Sequence, residues 1–194
     1  MNTVGRWLHQ TILKVFLIRR TDALTAAILL FVIGAFAIFL RTKLRFPMNM
    51  PGRQGVMVMF LFMIGRAAST RNIAGIYSGM GASLMLLFPF IGTKDPWLPL
   101  IYLVMGISLD YFIYLSRRIR RFSAYLIYTL IGGAVYMIIP LSRFCINLLT
   151  GLTYTEFIKH PIPVPFITHF IFGALGSMLG SALIIQNIKR QGYK

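Results

Sequence analysis

Apolar and polar positions alternate along this chain in long blocks, not residue by residue. Apolar blocks cover residues 22–40, 55–68, 73–91, 97–115, 122–141 and 164–186, separated by polar or proline-bearing breaks. Half-buried strands would interleave polar residues with a period of two, so continuous blocks of this length read as helices. Crossing a hydrocarbon core about 30 Å thick takes about 20 helical residues. The blocks approach that length except for 55–68, which is short. The pattern predicts an all-α integral membrane protein with six transmembrane helices over residues 21–190.

Ahead of this domain, residues 1–20 place Val4, Leu8, Thr11, Val15 and Ile18 on one helical stripe, with Arg6, Lys14 and Arg19 off it. That periodicity predicts an amphipathic helix lying in the membrane interface, with Trp7 at headgroup depth. No small-residue cleavage motif follows it, so no cleavable signal is expected.

The breaks differ in character. Pro47 and Pro51 interrupt residues 41–55, the first long connection, and residues 142–163 form the second. Residues 65–72 make a tight polar tip carrying Arg66 and Arg71, and the next block opens on Ala74, Gly75, Ser78, Gly79, Gly81 and Ala82. The last block holds Gly173, Gly176, Ser177, Gly180 and Ser181. Small residues let helix backbones approach closely in a membrane, and Gly176 with Gly180 forms a GxxxG pair.

Composition agrees with this class. Of 194 residues, 57% are hydrophobic and 12% charged, where a soluble domain carries about a quarter. The net charge of +16 would suit nucleic acid if the cations formed one solvated face. They instead punctuate apolar blocks, as topology and anionic headgroups require, so membrane lipids are expected as partners and nucleic acid is not.

Six spans put both termini on one side. That side then holds Arg6, Lys14, Arg19, Arg20, Arg66, Arg71, Arg117, Arg118, Arg120, Arg121, Lys189, Arg190 and Lys194, thirteen cations. The other side holds seven: Arg41, Lys43, Arg45, Arg53, Lys94, Arg143 and Lys159. The bias predicts cytoplasmic termini and a location in the cell inner membrane.

The pattern also resembles a known family. Ala23-Leu24-Thr25-Ala26-Ala27 in the first span fits an Ala-xxx-Ala pair. The small-rich third span, Gly106-Ile107-Ser108-Leu109-Asp110, and His169-Phe170-Ile171-Phe172-Gly173 look similar to the same group. The group is the substrate-binding membrane subunits (S components) of energy-coupling factor transporters, and the resemblance runs over most of residues 22–190. It implies a passive subunit of an ABC-type importer that captures a small vitamin-like solute at the outer face. It further implies a transmembrane coupling subunit on the small face at Ala23 and Ala27, and two cytoplasmic ATPases. The basic first connection and the amphipathic N-terminus depart from the family pattern, and no vitamin-specific motif is present.

Several residues are candidates for the solute. Arg41, Lys43, Arg45 and Arg53 could attract a carboxylate or phosphate, or contact lipid phosphates. Arg53 is the sharpest, because Pro51-Gly52-Arg53-Gln54-Gly55 lets backbone approach a ligand. Asn49 and Gln54 offer amides. Trp97, Tyr102 and Tyr136 fall in outer halves of their spans, and Arg143, Asn147 and His169 near the second connection. Arg66 and Arg71, at the inner tip, are candidates for partner contact. Asp110 needs a partner within the membrane, and Arg66, Arg71 or the 117–121 arginines are near enough in sequence topology to pair with it.

No enzyme signature is present: there is no GxxxxGK[ST], HExxH or CxxC, and His9, His160 and His169 fall on different segments. No catalysis, metal or cofactor is expected, and the lone Cys145 forms no intrachain disulfide. Two rival functions stay open. One is a membrane scaffold docking a partner through small-residue helices and a basic inner face. The other is a lipid-headgroup enzyme using His160, His169 or Glu156.

Overall fold

The computed structural model describes residues 22–44, 50–69, 71–91, 95–116 and 123–190. The expected amphipathic stretch 1–20, Arg45, Asn49 and the 117–121 arginines lie outside the described residues. Among the described residues the regular elements are helices: α1 (Ala23–Lys43), α2 (Gly55–Ala68), α3 (Ala74–Leu87), α4 (Leu98–Ser116), α5 (Ala124–Tyr136), α6 (Ile138–Thr150), α7 (Thr155–Lys159) and α8 (Pro163–Arg190). A single 3-10 turn, Pro89–Ile91, follows α3.

Helix neighbours fix the direction of each rod. Early α1 residues Ala26 and Leu30 share a small core with late α2 residues Ile64 and Ala68 and with Ala74 at the start of α3. Gly34 of α1 backs onto Ser78 of α3, so α1 and α3 run parallel with α2 antiparallel to both. Gly75 of α3 faces Gly106 and Asp110, whereas Gly79 faces Tyr102, so α4 descends beside α3. Gly176 and Gly180 of α8 abut the backbone of Val56 and Phe60 on α2, and Gly173 abuts Tyr136 and Gly132 on α5. Six rods therefore alternate in direction, counting α5 with α6 as one.

The small residues explain these contacts. A Cβ on Gly34 would collide with the Ser78 backbone, and one on Gly79 would lie 3.0 Å from Gly106 Cα. α3 is thus held between α1 and α4 by two different small faces, Ser78 with Gly81 on one side and Gly75 with Gly79 on the other. The GxxxG pair serves the same purpose between α8 and α2. Larger side chains point away from the bundle: Leu24, Ile28, Val32 and Phe36 are exposed along α1, and Leu100, Val104, Ile107 and Tyr111 along α4.

Four helical stretches are long and apolar enough to cross a membrane: Ala23–Lys43, Leu98–Ser116, Tyr125–Thr150 and Pro163–Leu183. With their outward apolar faces they point to a membrane protein. α2 and α3 have 14 residues each, about 21 Å at 1.5 Å per residue, short of a full crossing.

Two connections are shorter than the sequence suggests. α1 continues to Lys43, so Arg41 and Lys43 occupy its last turn and not a loop. Residues 142–150, expected in the second connection, are helical. Pro140 does not interrupt them, because it falls in the first turn of α6, where its missing N–H has no helical partner to lose. α6 then ends at Gly151, whose φ of 71° is the left-handed cap conformation that glycine adopts freely.

Candidate functional site

The end of the bundle where α1 finishes and α2 and α8 begin carries the polar chemistry. Arg41, in the last turn of α1, is fixed on three sides. Its Nε donates to Gln54 Oε1 at 2.9 Å, its Nη1 donates to the Tyr102 hydroxyl at 2.9 Å, and its carbonyl accepts from Gln54 Nε2 at 2.9 Å. Tyr102 is fully buried, so the phenol anchors Arg41 from below and is not itself in the cavity lining.

Beside Arg41 opens a cavity of about 280 Å³, lined by cations from several segments: Arg41, Arg53, Arg143 and Lys159. His160 and Glu156 add to its wall. Its floor is Tyr136 stacked on His169, with ring centroids 5.2 Å apart. His169 Nδ1 lies 2.7 Å from the Pro165 carbonyl, one turn earlier in α8. That contact requires a proton on Nδ1, so the ring donates to the backbone through that nitrogen. Gly52 and Gly55 bring the turn before α2 down onto this floor. A Cβ on Gly52 would sit 2.7 Å from His169 Nδ1, and one on Gly55 would strike the Tyr136 ring. Gly52 also has φ of 76°, so glycine is required there twice over.

Arg143, on α6, is shared by two carboxylates. Nε and Nη2 reach Asp95 Oδ2 at 3.1 and 3.0 Å, and Nη1 reaches Glu156 Oε1 at 2.6 Å. The guanidinium also lies over the Tyr154 ring, 5.4 Å from its centroid. Burial first, and then the negative charge of Asp95, raise the Tyr154 phenol above its ordinary pKa, so it stays protonated. A second cavity of about 470 Å³ lies on the other side of this cluster, bounded by Asp95, Trp97, Leu152 and Tyr154. Arg41, Arg143, Thr155 and Glu156 line both.

The opposite end of the bundle holds a different arrangement. Asp110 Oδ1 accepts the Gly75 N–H at 2.9 Å and Oδ2 accepts the Ile76 N–H at 2.8 Å. Arg66 Nε lies 3.1 Å from Oδ1, with both side chains buried. Asp110 therefore caps the N-terminus of α3 from another helix, which satisfies two orphan donors and places an anion at the positive end of the helix. Arg66 also donates from Nη1 to the Ser69 carbonyl at 3.3 Å, closing the hairpin.

The chain matches no protein-family model, no curated protein and no solved structure.

The geometry sorts the candidates. Arg53, Gln54, Tyr136, Arg143 and His169 meet in the first cavity, and Trp97 borders the second. Tyr102 stands behind Arg41, and Asn147 lies outside both linings, its carbonyl accepting the Gly151 N–H. Asn49 lies outside the described residues. Ala23 is exposed and Ala27 half-buried at the start of α1. Arg66 is buried in the ion pair, while Arg71 is half-exposed, its N–H donating to Ser69 Oγ. Sequence reasoning weighed Glu156 only as a catalytic acid and left Asp95 and Lys159 out of the site. Asp95 and Glu156 were visible only as two of four acids in a basic chain. Their convergence on Arg143 is a tertiary fact.

Proposed function

We propose that this protein is a membrane-embedded solute-binding subunit, of the S-component type, that captures a small vitamin-like solute for ATP-driven uptake with a coupling subunit and two ATPases. The observation that carries the reading is the cation-lined cavity with an aromatic floor, set into one end of an otherwise apolar bundle. Its size suits a small solute, and its few converging polar groups are the kind that orient one. In this reading all six rods cross the membrane. α2 and α3 are extended by the turn at 51–54 and by Pro89–Ile91. The excess of Lys and Arg supports termini inside and the cavity outside, in the inner membrane.

Ala23, exposed, and Ala27, half-buried at the start of α1, are the docking surface for the coupling subunit, with half-exposed Arg71 as a further contact. The protein itself performs no chemistry.

The test is a ligand screen on purified protein, by thermal shift and native mass spectrometry, against water-soluble vitamins and small organic anions. A solute that raises the melting temperature and whose affinity drops roughly tenfold or more on Arg53→Glu supports the reading. Pull-down of the tagged chain from its own membranes should bring a coupling subunit and ATPases. A chain that binds no solute and no such partners refutes it.

A further inference from the structure

Asp95 and Glu156 share Arg143 unequally. Asp95 Oδ2 accepts two of its N–H groups, and Asp95 Oδ1 accepts the Trp97 N–H at 3.1 Å. Glu156 holds Arg143 through Oε1 alone, and its Oε2 is buried without a hydrogen-bond partner among the described residues. A buried carboxylate oxygen with no donor has given up hydration that it would regain in water. Asp95 is thus the permanent counter-ion of Arg143, and Glu156 is the exchangeable one.

The element that carries Glu156 is also weakly held. α7 has five residues and none is buried. Its aromatic contacts with the bundle are those of Phe157, which lies edge-on to Phe144 at 5.8 Å and beside Phe166 at 6.4 Å. Just before it, Gly151 has no neighbour that a Cβ would touch, so the chain can pivot there.

We propose that Glu156 is an internal stand-in for an external anion. A small carboxylate or phosphate entering the cavity takes its place on Arg143 Nη1, and α7 swings out as Glu156 leaves. The proposal rests on the reading that this cavity binds a small solute, and names its chemical class. An anion is required because Arg41, Arg53 and Lys159 line the same cavity. A neutral solute would leave Arg143 and its neighbours without the charge that Glu156 removed.

The experiment uses the full chain in nanodiscs of zwitterionic lipid. Spin labels go on the native Cys145, exposed on α6, and on Ile158→Cys, exposed on α7. Pulsed electron paramagnetic resonance then reads the distance between α6 and α7. Phosphate or succinate should lengthen that distance, and neutral succinamide should not. Glu156→Gln should show the longer distance with no anion added, and should bind the same probes roughly tenfold more tightly by calorimetry, the scale of one charge-assisted hydrogen bond. Lengthening in nanodiscs that contain phosphatidylglycerol, with no free anion, would assign the anion to a lipid headgroup. Lengthening with free phosphate or succinate alone assigns it to a soluble solute. Probe binding with α7 unmoved, or with unchanged affinity in Glu156→Gln, overturns the exchange and leaves the cavity a binding site. Failure of every probe to bind either protein overturns both. The titration of the unsubstituted site decides the matter even if Glu156→Gln does not fold.

Discussion

Replacing Asp110 by alanine tests the hairpin end directly. The substitution removes the acceptor of two backbone N–H groups at the start of α3 and the carboxylate 3.1 Å from Arg66 Nε. Arg66 is 5% exposed, so the truncation leaves its charge in a dry site. Breaking a buried pair from one side costs about 3–5 kcal/mol. Losing a helix cap costs about 0.5–2 kcal/mol, and the two terms overlap because the same oxygens serve both. A loss of about 4 kcal/mol, roughly three decades in the folding equilibrium, is the expected result. Asp110→Asn should cost less, because its remaining oxygen can still accept one N–H. The assay is equilibrium unfolding in mixed micelles, with Arg66→Ala and the double variant closing a cycle. A coupling of about 1–3 kcal/mol is expected from residues in one network. A loss below about 1 kcal/mol for Asp110→Ala, or strictly additive singles, would refute the buried pair.

Other substitutions follow from contacts already given. Gly34→Val drives a branched side chain into the Ser78 backbone and should destabilise by about 1–3 kcal/mol or more, read as a fall in melting temperature in detergent. Gly151→Ala meets no neighbouring atom, so its cost should be limited to the left-handed backbone, about 1–2 kcal/mol by the same assay. Tyr102→Phe removes the hydroxyl that accepts from Arg41. It should cost about 1 kcal/mol of stability, read as a fall in melting temperature, and weaken binding of the proposed solute in calorimetry as Arg41 loosens.

How far these features could be read from the sequence depended on how local their causes are. The helices were legible because apolar blocks and small-residue runs are written along the chain. The faces at Gly75–Ala82 and at Gly176–Gly180 pack as their spacing implies. The Asp110 pair was legible because a carboxylate inside an apolar block must find a cation and few were at hand. Its backbone bonds to Gly75 and Ile76 were not, since they join residues 34 and 35 apart. The end of α6 was misplaced because Arg143 and Asn147 read as the start of a polar connection, although residues 142–150 continue the helix. The cluster on Arg143 was hidden for a third reason: it unites the turn before α4 with α6 and α7 through side chains that each look like ordinary loop polarity.

The pairing of α2 with α8 also bears on how the chain is made. α2 is a short rod whose main neighbour is the last helix, with Gly176 and Gly180 seated on its backbone. Roughly 110 residues separate the starts of the two helices, about 5–20 s of synthesis at about 5–20 residues per second. Through that interval α2 has α1, α3 and a small contact with α5 at Gly55 and Tyr136 beside it, but its largest face stays open. The bundle therefore closes in one late step when α8 arrives. A chain cut before Pro163 would leave a short apolar rod half-covered, a natural target for quality-control proteolysis.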